Sequence, residues 1–320
     1  MASGIHIVAD IGGTNARFAH VQEDEAQLNE VEVFPCSEFT YLVDAIHSYL
    51  VKICVEVPDS ICLAVAGPVE TDWIDLPNNH WAFSQRDIAA QLGAPLRVVN
   101  DFTAQILSID LLKDSDFHWL GPDRPGGEGV RAVIGPGTGL GVSAMLRSGD
   151  ILPSEGGHMN FAPEDSHEAA LLEVLWERFP RVSTERVLSG QGLENLYWAN
   201  CRLDGRDREL PAPAVTAGAR AGDSGCLAAV TDFFAILASW AGDIALMTGA
   251  TDGVYLSGGI LPQLKDLVNE QQFLRRFRNK GRFASFVSGI PLALIQADHP
   301  GLTGCARALF RDPNDANKAL

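Results

Sequence analysis

The chain has 320 residues, 46% of them hydrophobic and 20% charged, which is typical of a globular protein with one large or two medium domains. Its formal net charge of −17 argues against sequence-independent binding to nucleic acid or an anionic membrane, because no cationic excess neutralises phosphates. The six cysteines include no Cys-x-x-Cys pair, which favours reduced thiols over a zinc site or a disulfide framework. The most apolar stretch, Phe233–Met247, contains Asp243, and no leader pattern opens the chain. We therefore expect a cytoplasmic protein without a membrane span.

The stretch Ile5–Val21 predicts a β-hairpin with a glycine tip. Apolar and polar residues alternate along it, and the alternation breaks at Gly12-Gly13-Thr14. The two glycines allow backbone N–H groups to approach an anionic oxygen, and the threonine adds a hydroxyl. Asp10, at the end of the first strand, can hold Mg²⁺ directly or through its water shell. The tip therefore suits a phosphate, although an ordinary hairpin turn closed by Gly-Gly would have the same residues.

Helices and buried strands alternate after the hairpin. The spacing of apolar residues predicts a helix over 42–53, and residues 61–66 predict a fully buried strand of the kind found in parallel sheets. Ser84 and Asp87 form a capping box that opens a second helix, which Gly93 closes. Residues 96–99 predict the next strand.

That strand ends in Asn100-Asp101. Ligand and catalytic groups in open α/β sheets gather outside the carboxyl ends of the strands, so chemistry is expected at this polar pair. The alternative role for Asp101 is that of a helix N-cap.

A second strand–loop–strand unit lies further along the chain. Residues 121–129 are rich in Gly and Pro and predict an exposed connection, and we expect a domain boundary near residue 110. Residues 132–145 then predict two strands joined by Gly137-Thr138-Gly139. This loop fits neither G-x-x-x-x-G-K-[ST], because no lysine follows, nor G-x-G-x-x-G, because the third glycine is missing.

The rest of the chain predicts mainly helices. Residues 182–190 predict the start of one helix, and residues 302–310 predict the closing one. Strands are predicted over 254–260, which ends in Gly258-Gly259, and over 292–296. A helix over 166–179 and a long core helix have these apolar residues on their inner sides: Leu171, Leu172, Leu175 and Trp176 in the first, and Leu227, Val230, Phe234, Leu237, Ala241 and Ile244 in the second.

Three glycine loops occur in a characteristic order. Asp10–Thr14, Ile134–Gly139 and Tyr255–Gly259 resemble the two phosphate loops and the adenosine loop of the actin-like ATPase superfamily. With the segments Leu76–Trp81, Asn100–Phe102, Glu155–His158 and Glu185–Gly190, they make the chain similar, from end to end, to bacterial-type glucokinases.

This resemblance implies an α/β protein with the two-domain actin-like ATPase (ribonuclease H-like) fold. A small α/β domain would comprise residues 1–110 and 299–320, and a larger α+β domain residues 111–298, with sugar and ATP in the cleft between them. The resemblance also implies a homodimer.

The resemblance further implies roles for single residues. Asp101 would be the general base that takes the proton of the sugar 6-hydroxyl, and Asp10 would organise Mg²⁺ between phosphate oxygens. The sugar would be held by Asn100, Asp101, Glu155, His158 and Glu185. ATP would contact Ala9, Asp10, Ile11, Gly12, Gly13, Thr14, Gly137, Thr138, Gly258 and Gly259.

His158 and Glu185 each fit a second role. Glucokinases of the ROK family also have a Glu-x-Gly-His segment, in which the histidine belongs to a zinc site with a following cysteine cluster. Here the nearest cysteine after His158 is Cys201, so we expect a sugar ligand and no zinc, with a structural histidine as the alternative. Glu185 could instead lie on a solvated helix face.

Other function classes make different demands on the sequence. A sugar-responsive repressor of related fold needs a DNA-binding segment before the first strand, which here starts within a few residues of Met1. An actin-like filament protein needs the nucleotide loops but not the polar groups at Asn100-Asp101, Glu155 and His158. A kinase for a different sugar or acyl substrate remains the main alternative to a glucose kinase.

Overall fold

The computed structural model describes residues 4–22, 27–121 and 125–311, so part of the predicted connection at 121–129 lies outside the described residues. The chain forms two compact units, residues 1–116 with 297–320 and residues 117–296. The domain boundaries predicted near residues 110 and 299 stay predictions, because compactness alone does not establish independent folding.

Thirteen strands and eleven helices are described. The strands are β1 Ile5–Ile11, β2 Asn15–Gln22, β3 Asn29–Pro35, β4 Ser60–Val65, β5 Trp73–Asp75, β6 Ala82–Ser84, β7 Leu96–Asn100, β8 Phe117–Trp119, β9 Arg131–Pro136, β10 Leu140–Met145, β11 Ile151–Ser154, β12 Val254–Leu256 and β13 Leu292–Ile295. The helices are α1 Leu42–Lys52, α2 Gln85–Leu92, α3 Asp101–Ser108, α4 Ser166–Leu175, α5 Gly190–Leu203, α6 Ala212–Arg220, α7 Ser224–Thr248, α8 Leu261–Leu264, α9 Glu270–Arg278, α10 Ala284–Ser288 and α11 Pro300–Phe310.

The first unit is built on a five-stranded sheet in the order β3-β2-β1-β4-β7. The predicted hairpin is confirmed, since β1 and β2 pair antiparallel. Strands β1, β4 and β7 run parallel, with Ile11 opposite Val65 and Val65 opposite Asn100. The carboxyl ends of these three strands therefore share one edge of the sheet, where a ligand site is expected.

Helices cover this sheet for the reasons that the sequence indicates. Ser84 caps α2 by accepting a hydrogen bond from the N–H of Asp87, and Gly93 ends the helix in the left-handed conformation at φ 66°. Helix α11, from the far end of the chain, packs on α3. A β-carbon at Gly304 of α11 would overlap the carbonyl of Ala104, so this glycine allows the two helix backbones to meet.

The second unit contains a six-stranded sheet in the order β11-β10-β9-β12-β13-β8. Strands β9, β12 and β13 are parallel, and β10 pairs antiparallel with β9. Among the described residues, α7 is the one helix long and apolar enough to cross a membrane, but 72% of its apolar window is buried inside the protein. Its side chains Phe233, Leu237 and Ala241 lie in the hydrophobic core of this unit.

Several local predictions were wrong. Residues 182–190 do not begin a helix directly: a 3₁₀ turn spans Thr184–Arg186, and α5 starts at Gly190. The helix predicted over 166–179 ends at Leu175, and Trp176, the residue after it, is 55% exposed. Leu227 is also exposed, although Cys226, its neighbour in the first turn of α7, is buried.

Candidate active site

The hairpin tip in the first unit is a tight turn supported from one side. The N–H of Gly12 donates to the carbonyl of Asn15 at 3.0 Å, which closes the turn. The Asn79 side chain donates from Nδ2 to the carbonyl of Gly12 at 2.9 Å. A β-carbon at Gly13 would lie 2.7 Å from the carbonyl oxygen of Asn78, so only glycine fits between the tip and this loop. The tip is therefore held in one shape and presents backbone rather than side chains.

Asp10 lies at the carboxyl end of β1, directly opposite Arg17 on β2. Its carboxylate is 23% exposed and its Oδ2 is 3.7 Å from Nη1 of Arg17. Burial raises the pKa of this carboxyl, while its electrostatic interactions with Arg17 and His299 act to lower it. The side chains of Ala9 and Ile11 are buried in the core, so these two residues can contact a nucleotide only through their backbone.

The metal predicted at Asp10 fits this donor set. Mg²⁺ is usually held by one or two carboxylates together with substrate phosphates and water, and Asp10 supplies one partly exposed carboxylate beside the anion-binding tip. Within residues 4–22, 27–121 and 125–311, no group of three or more His, Cys, Asp or Glu side chains could hold a metal ion by itself. Any Mg²⁺ at Asp10 would thus depend on phosphate oxygens and water for its remaining ligands.

Asn100 and Asp101 lie at the same sheet edge as Asp10, where β7 passes into α3. The helix cap is Asn100 and not Asp101: Oδ1 of Asn100 accepts from the N–H groups of Phe102 and Thr103. Its Nδ2 donates to the carbonyl of Gly67 at 3.2 Å, after the neighbouring strand β4. Asp101 is the first residue of the helix and accepts from the N–H of Phe102 at 2.9 Å. Asn100 therefore fixes the point from which the Asp101 carboxylate projects.

The other two glycine loops are neighbours in the second unit. Gly137 follows β9 and Gly258 follows β12, and these strands are adjacent and parallel. The N–H of Ser257 donates to the carbonyl of Ile134 at 2.7 Å. Gly258 has φ +95°, and a β-carbon on it would overlap the carbonyl of Pro136. By contrast, a β-carbon at Gly137 or Gly259 would meet nothing within 4 Å, so both loops present open backbone.

Glu155 directly precedes a short turn of 3₁₀ helix, Gly156–His158, and His158 is its last residue. Both side chains are exposed. A β-carbon at Gly156 would lie 2.6 Å from Val142, and one at Gly157 would overlap the carbonyl of Leu140. The two glycines thus let this turn lie directly on β10, next to the glycine-threonine loop.

Glu185 lies against the same loop. Its Oε2 accepts a hydrogen bond from the N–H of Leu140 at 2.9 Å. The solvated helix face considered above is therefore not its environment, since Glu185 belongs to a 3₁₀ turn and is half-buried. In the second unit the structure brings together Gly137, Thr138, Gly258, Gly259, Glu155, His158 and Glu185.

Sequence reasoning missed four residues around the hairpin tip: Arg17, Asn79, His299 and Gly301. Arg17 could have been found, because a four-residue connection over residues 12–15 places it opposite Asp10. Gly301 could not, because nothing in the sequence near residue 301 indicates that the first turn of α11 touches Asp10.

Comparisons with known proteins give matches over almost the whole chain. A family model described as Glucokinase matches residues 7–312. The glucokinase of Chromohalobacter salexigens is 42% identical over 311 residues, which cover 96% of this chain and 98% of that protein.

Solved structures show the same fold. A glucokinase from an Antarctic psychrotroph superposes with a TM-score of 0.86 at 34% identity, covering 96% of this chain and 98% of that one. A ROK family glucokinase from Streptomyces griseus, solved with glucose and AMPPNP, has a TM-score of 0.61 at 20% identity and covers 95% and 99% of the two chains. The predicted actin-like ATPase fold is confirmed.

Proposed function

Because the chain belongs to the glucokinase family, we propose an assignment of the chemistry to its residues. The family membership makes it an enzyme that phosphorylates glucose with ATP to glucose 6-phosphate, the first step of glycolysis. The observation that carries the assignment is the shared sheet edge in the first unit, at which the glycine tip with Asp10 and the Asn100-Asp101 pair both lie.

Asp101 is the general base in this proposal. Its carboxylate accepts the proton of the sugar 6-hydroxyl while that oxygen bonds to the γ-phosphorus, a contribution of about 10²–10⁴-fold for a well-positioned base. The cap formed by Asn100 supports the role, since it holds the start of α3 and thus the position of Asp101. The remaining Nδ2 hydrogen of Asn100, which donates once to Gly67, is available to a sugar oxygen.

The other sugar hydroxyls go to Glu155, His158 and Glu185. Carboxylates suit a ligand rich in O–H donors, because a donor left unpaired in a closed site costs much more than a lost apolar contact. The exposure of Glu155 and His158 supports this role, since neither side chain is buried in the core.

The phosphates are held by backbone N–H groups of the two glycine loops, Gly12–Thr14 and Gly137-Thr138. The adenosine lies against Gly258 and Gly259, where glycines remove side-chain bulk. Mg²⁺ at Asp10, directly or through water, would neutralise charge on the transferring phosphoryl group. Phosphoryl transfer needs little covalent work from the protein, so holding donor and acceptor in line is the main task of these residues.

We also infer a cytoplasmic homodimer. The acidic charge of −17 and the buried position of α7 are compatible with a protein that stays in solution. Light scattering coupled to size-exclusion chromatography would give the mass, and a monomer at micromolar concentration would overturn the dimer.

A coupled assay with a panel of hexoses and phosphoryl donors tests the function. Glucose with MgATP should give the highest kcat/KM. A higher value for another sugar would move the chain to a different sugar kinase, and sedimentable polymer with ATP but no transfer to any sugar would indicate a filament protein.

A further inference from the structure

Glu185 contacts the backbone of the phosphate loop in the second unit. Its Oε2 accepts the N–H of Leu140, the residue that directly follows Gly137-Thr138-Gly139, at 2.9 Å. A β-carbon at Gly139 would lie 2.6 Å from the same oxygen, so glycine is required there for the carboxylate to come this close. A hydrogen bond between a carboxylate and a backbone N–H is charge-assisted and stronger than a neutral one.

The main chain around Glu185 is itself held firmly. The Ser189 hydroxyl donates to the carbonyl of Glu185 at 2.8 Å and accepts from the N–H of Gly192, which caps α5. The N–H of Gly190 donates to the carbonyl of Gly137 at 2.9 Å. The phosphate loop is thus held by hydrogen bonds at both ends, from Gly190 at its start and to Glu185 at its end.

The opposite side of Leu140 meets the other predicted sugar-binding segment. A β-carbon at Gly157 would overlap the carbonyl oxygen of Leu140, so the turn that carries His158 rests on this peptide group. Leu140 itself is only 6% exposed. Leu140, which directly follows the phosphate loop, is therefore enclosed between two segments assigned to the sugar.

We propose that Glu185 is a positioning residue for the phosphate loop as well as a sugar ligand, and that it couples glucose binding to nucleotide binding. This rests on the proposed assignment of Glu185 to the sugar and of the loop to the phosphates. Oε2 accepts the hydrogen bond from Leu140, and Oε1 accepts one from a sugar hydroxyl. The hydrogen bond to the sugar restrains the carboxylate, and through it the phosphate loop. By linkage, each ligand then raises the affinity for the other by the same factor.

Calorimetric titration of ADP in the presence of Mg²⁺, with and without glucose, tests this coupling. Glu185→Ala leaves the N–H of Leu140 without its acceptor, so ADP affinity without sugar should fall about tenfold, as for the loss of a hydrogen bond to a charged group. Glucose should then no longer raise the affinity for ADP. Glu185→Gln keeps an acceptor for Leu140, so ADP affinity should stay within about twofold of the wild type while glucose binding weakens.

His158→Ala is the matched control, because it removes a proposed sugar ligand whose side chain has no hydrogen bond to the phosphate loop in the described structure. It should weaken glucose binding and leave ADP affinity unchanged. Thermal melting of each variant establishes that it is folded. If the alanine variant does not fold, the ADP and glucose affinities of the glutamine variant test the proposal.

Wild-type ADP affinity in Glu185→Ala would overturn the positioning role, and so would an equal loss in Glu185→Gln and Glu185→Ala. Failure of the sugar assignment gives a different result: Glu185→Ala and His158→Ala would then both bind glucose as the wild type does, whatever happens to ADP.

Discussion

Gly301, in the first turn of α11, lies directly against the carboxylate of Asp10. A β-carbon at Gly301 would lie 2.9 Å from both Cγ and Oδ2 of Asp10. Helix α11 comes from the far end of the chain, and its other close glycine, Gly304, lies on α3, the helix that begins with Asp101. One helix thus contacts the proposed metal ligand and the helix of the proposed base.

Gly301→Ala should therefore impair the use of Mg²⁺ more than folding. The added methyl group must displace the Asp10 carboxylate, so the Mg²⁺ concentration for half-maximal activity should rise about tenfold, since errors of about 1 Å in positioning cost up to about 100-fold in rate. Glucose affinity should stay near the wild-type value. Initial rates across a series of Mg²⁺ concentrations measure the Mg²⁺ dependence, and tryptophan fluorescence measures glucose binding.

Gly225→Ala is the control for that substitution. Gly225 also occupies the second position of a helix, α7, but a β-carbon there meets its neighbours at 3.4 Å or more, which is ordinary contact. It should leave the Mg²⁺ dependence unchanged. If Gly301→Ala has the same Mg²⁺ dependence as the wild type, Asp10 is not a ligand of the metal.

Asp101→Asn should separate catalysis from stability. Asparagine keeps the size of the side chain but cannot take a proton at neutral pH, so kcat should fall about 100-fold or more. The melting temperature should change little, because Asn100 rather than Asp101 caps α3. Glucose binding, followed by tryptophan fluorescence, should largely survive.

Asp87→Asn provides a comparison, since Asp87 is an exposed acid in the first turn of α2 in the same unit. Its turnover should equal that of the wild type. Near-normal kcat in Asp101→Asn, or loss of activity through unfolding alone, would mean that Asp101 is not the base.

The purified enzyme should contain no stoichiometric zinc and should require added Mg²⁺. The described residues hold no cluster of three or more metal-ligating side chains, and the nearest cysteine after His158, Cys201, is buried in the core. Elemental analysis, followed by chelation and readdition of Mg²⁺ or Zn²⁺, checks both statements. About one zinc per chain, or activity restored by zinc alone, would contradict them.

Arg276→Met should destabilise the second unit in a pH-dependent way. Arg276 pairs with Glu168, with Asp165 at 3.0 Å and with Glu164 at 3.5 Å, and the Glu168 side chain is only 3% exposed. Removing the arginine leaves a buried carboxylate unpaired, which costs about 3–5 kcal/mol. Burial already raises the pKa of Glu168, whereas the hydrogen bond from the Glu164 N–H and the charge of Arg276 lower it.

The sign of the pH effect follows from that direction. Without Arg276 the folded-state pKa of Glu168 rises further above its unfolded value, so the penalty is full above the folded pKa and shrinks as Glu168 protonates at lower pH. Urea unfolding should show a larger difference from the wild type at pH 8 than at pH 5. Arg275→Met, at the exposed neighbouring position, should stay within about 0.5 kcal/mol at either pH. A pH-independent difference for Arg276→Met would point to lost packing instead.

The sequence by itself determined the local features of this protein. Alternation around Gly12-Gly13 predicted the hairpin, and the Ser84 cap and Gly93 stop predicted α2, because turn and cap chemistry depends on neighbours in the chain. The order of the three glycine loops indicated the fold by resemblance, and four further segments indicated the activity in the same way; relatives over almost the whole chain support both. Helix ends and exposed faces were less predictable, as Trp176 and Leu227 show, since they depend on what packs against each helix.

Only the tertiary structure decided which groups meet. Glu185 and Leu140 are 45 residues apart, and their hydrogen bond depends on how the turn before α5 packs on β10. Asp10 and Gly301 are separated by almost the whole chain, and they touch because α11 returns to the first sheet. Side-chain patterns report what lies one strand or helix turn away, whereas contacts between distant segments follow from the packing of whole elements.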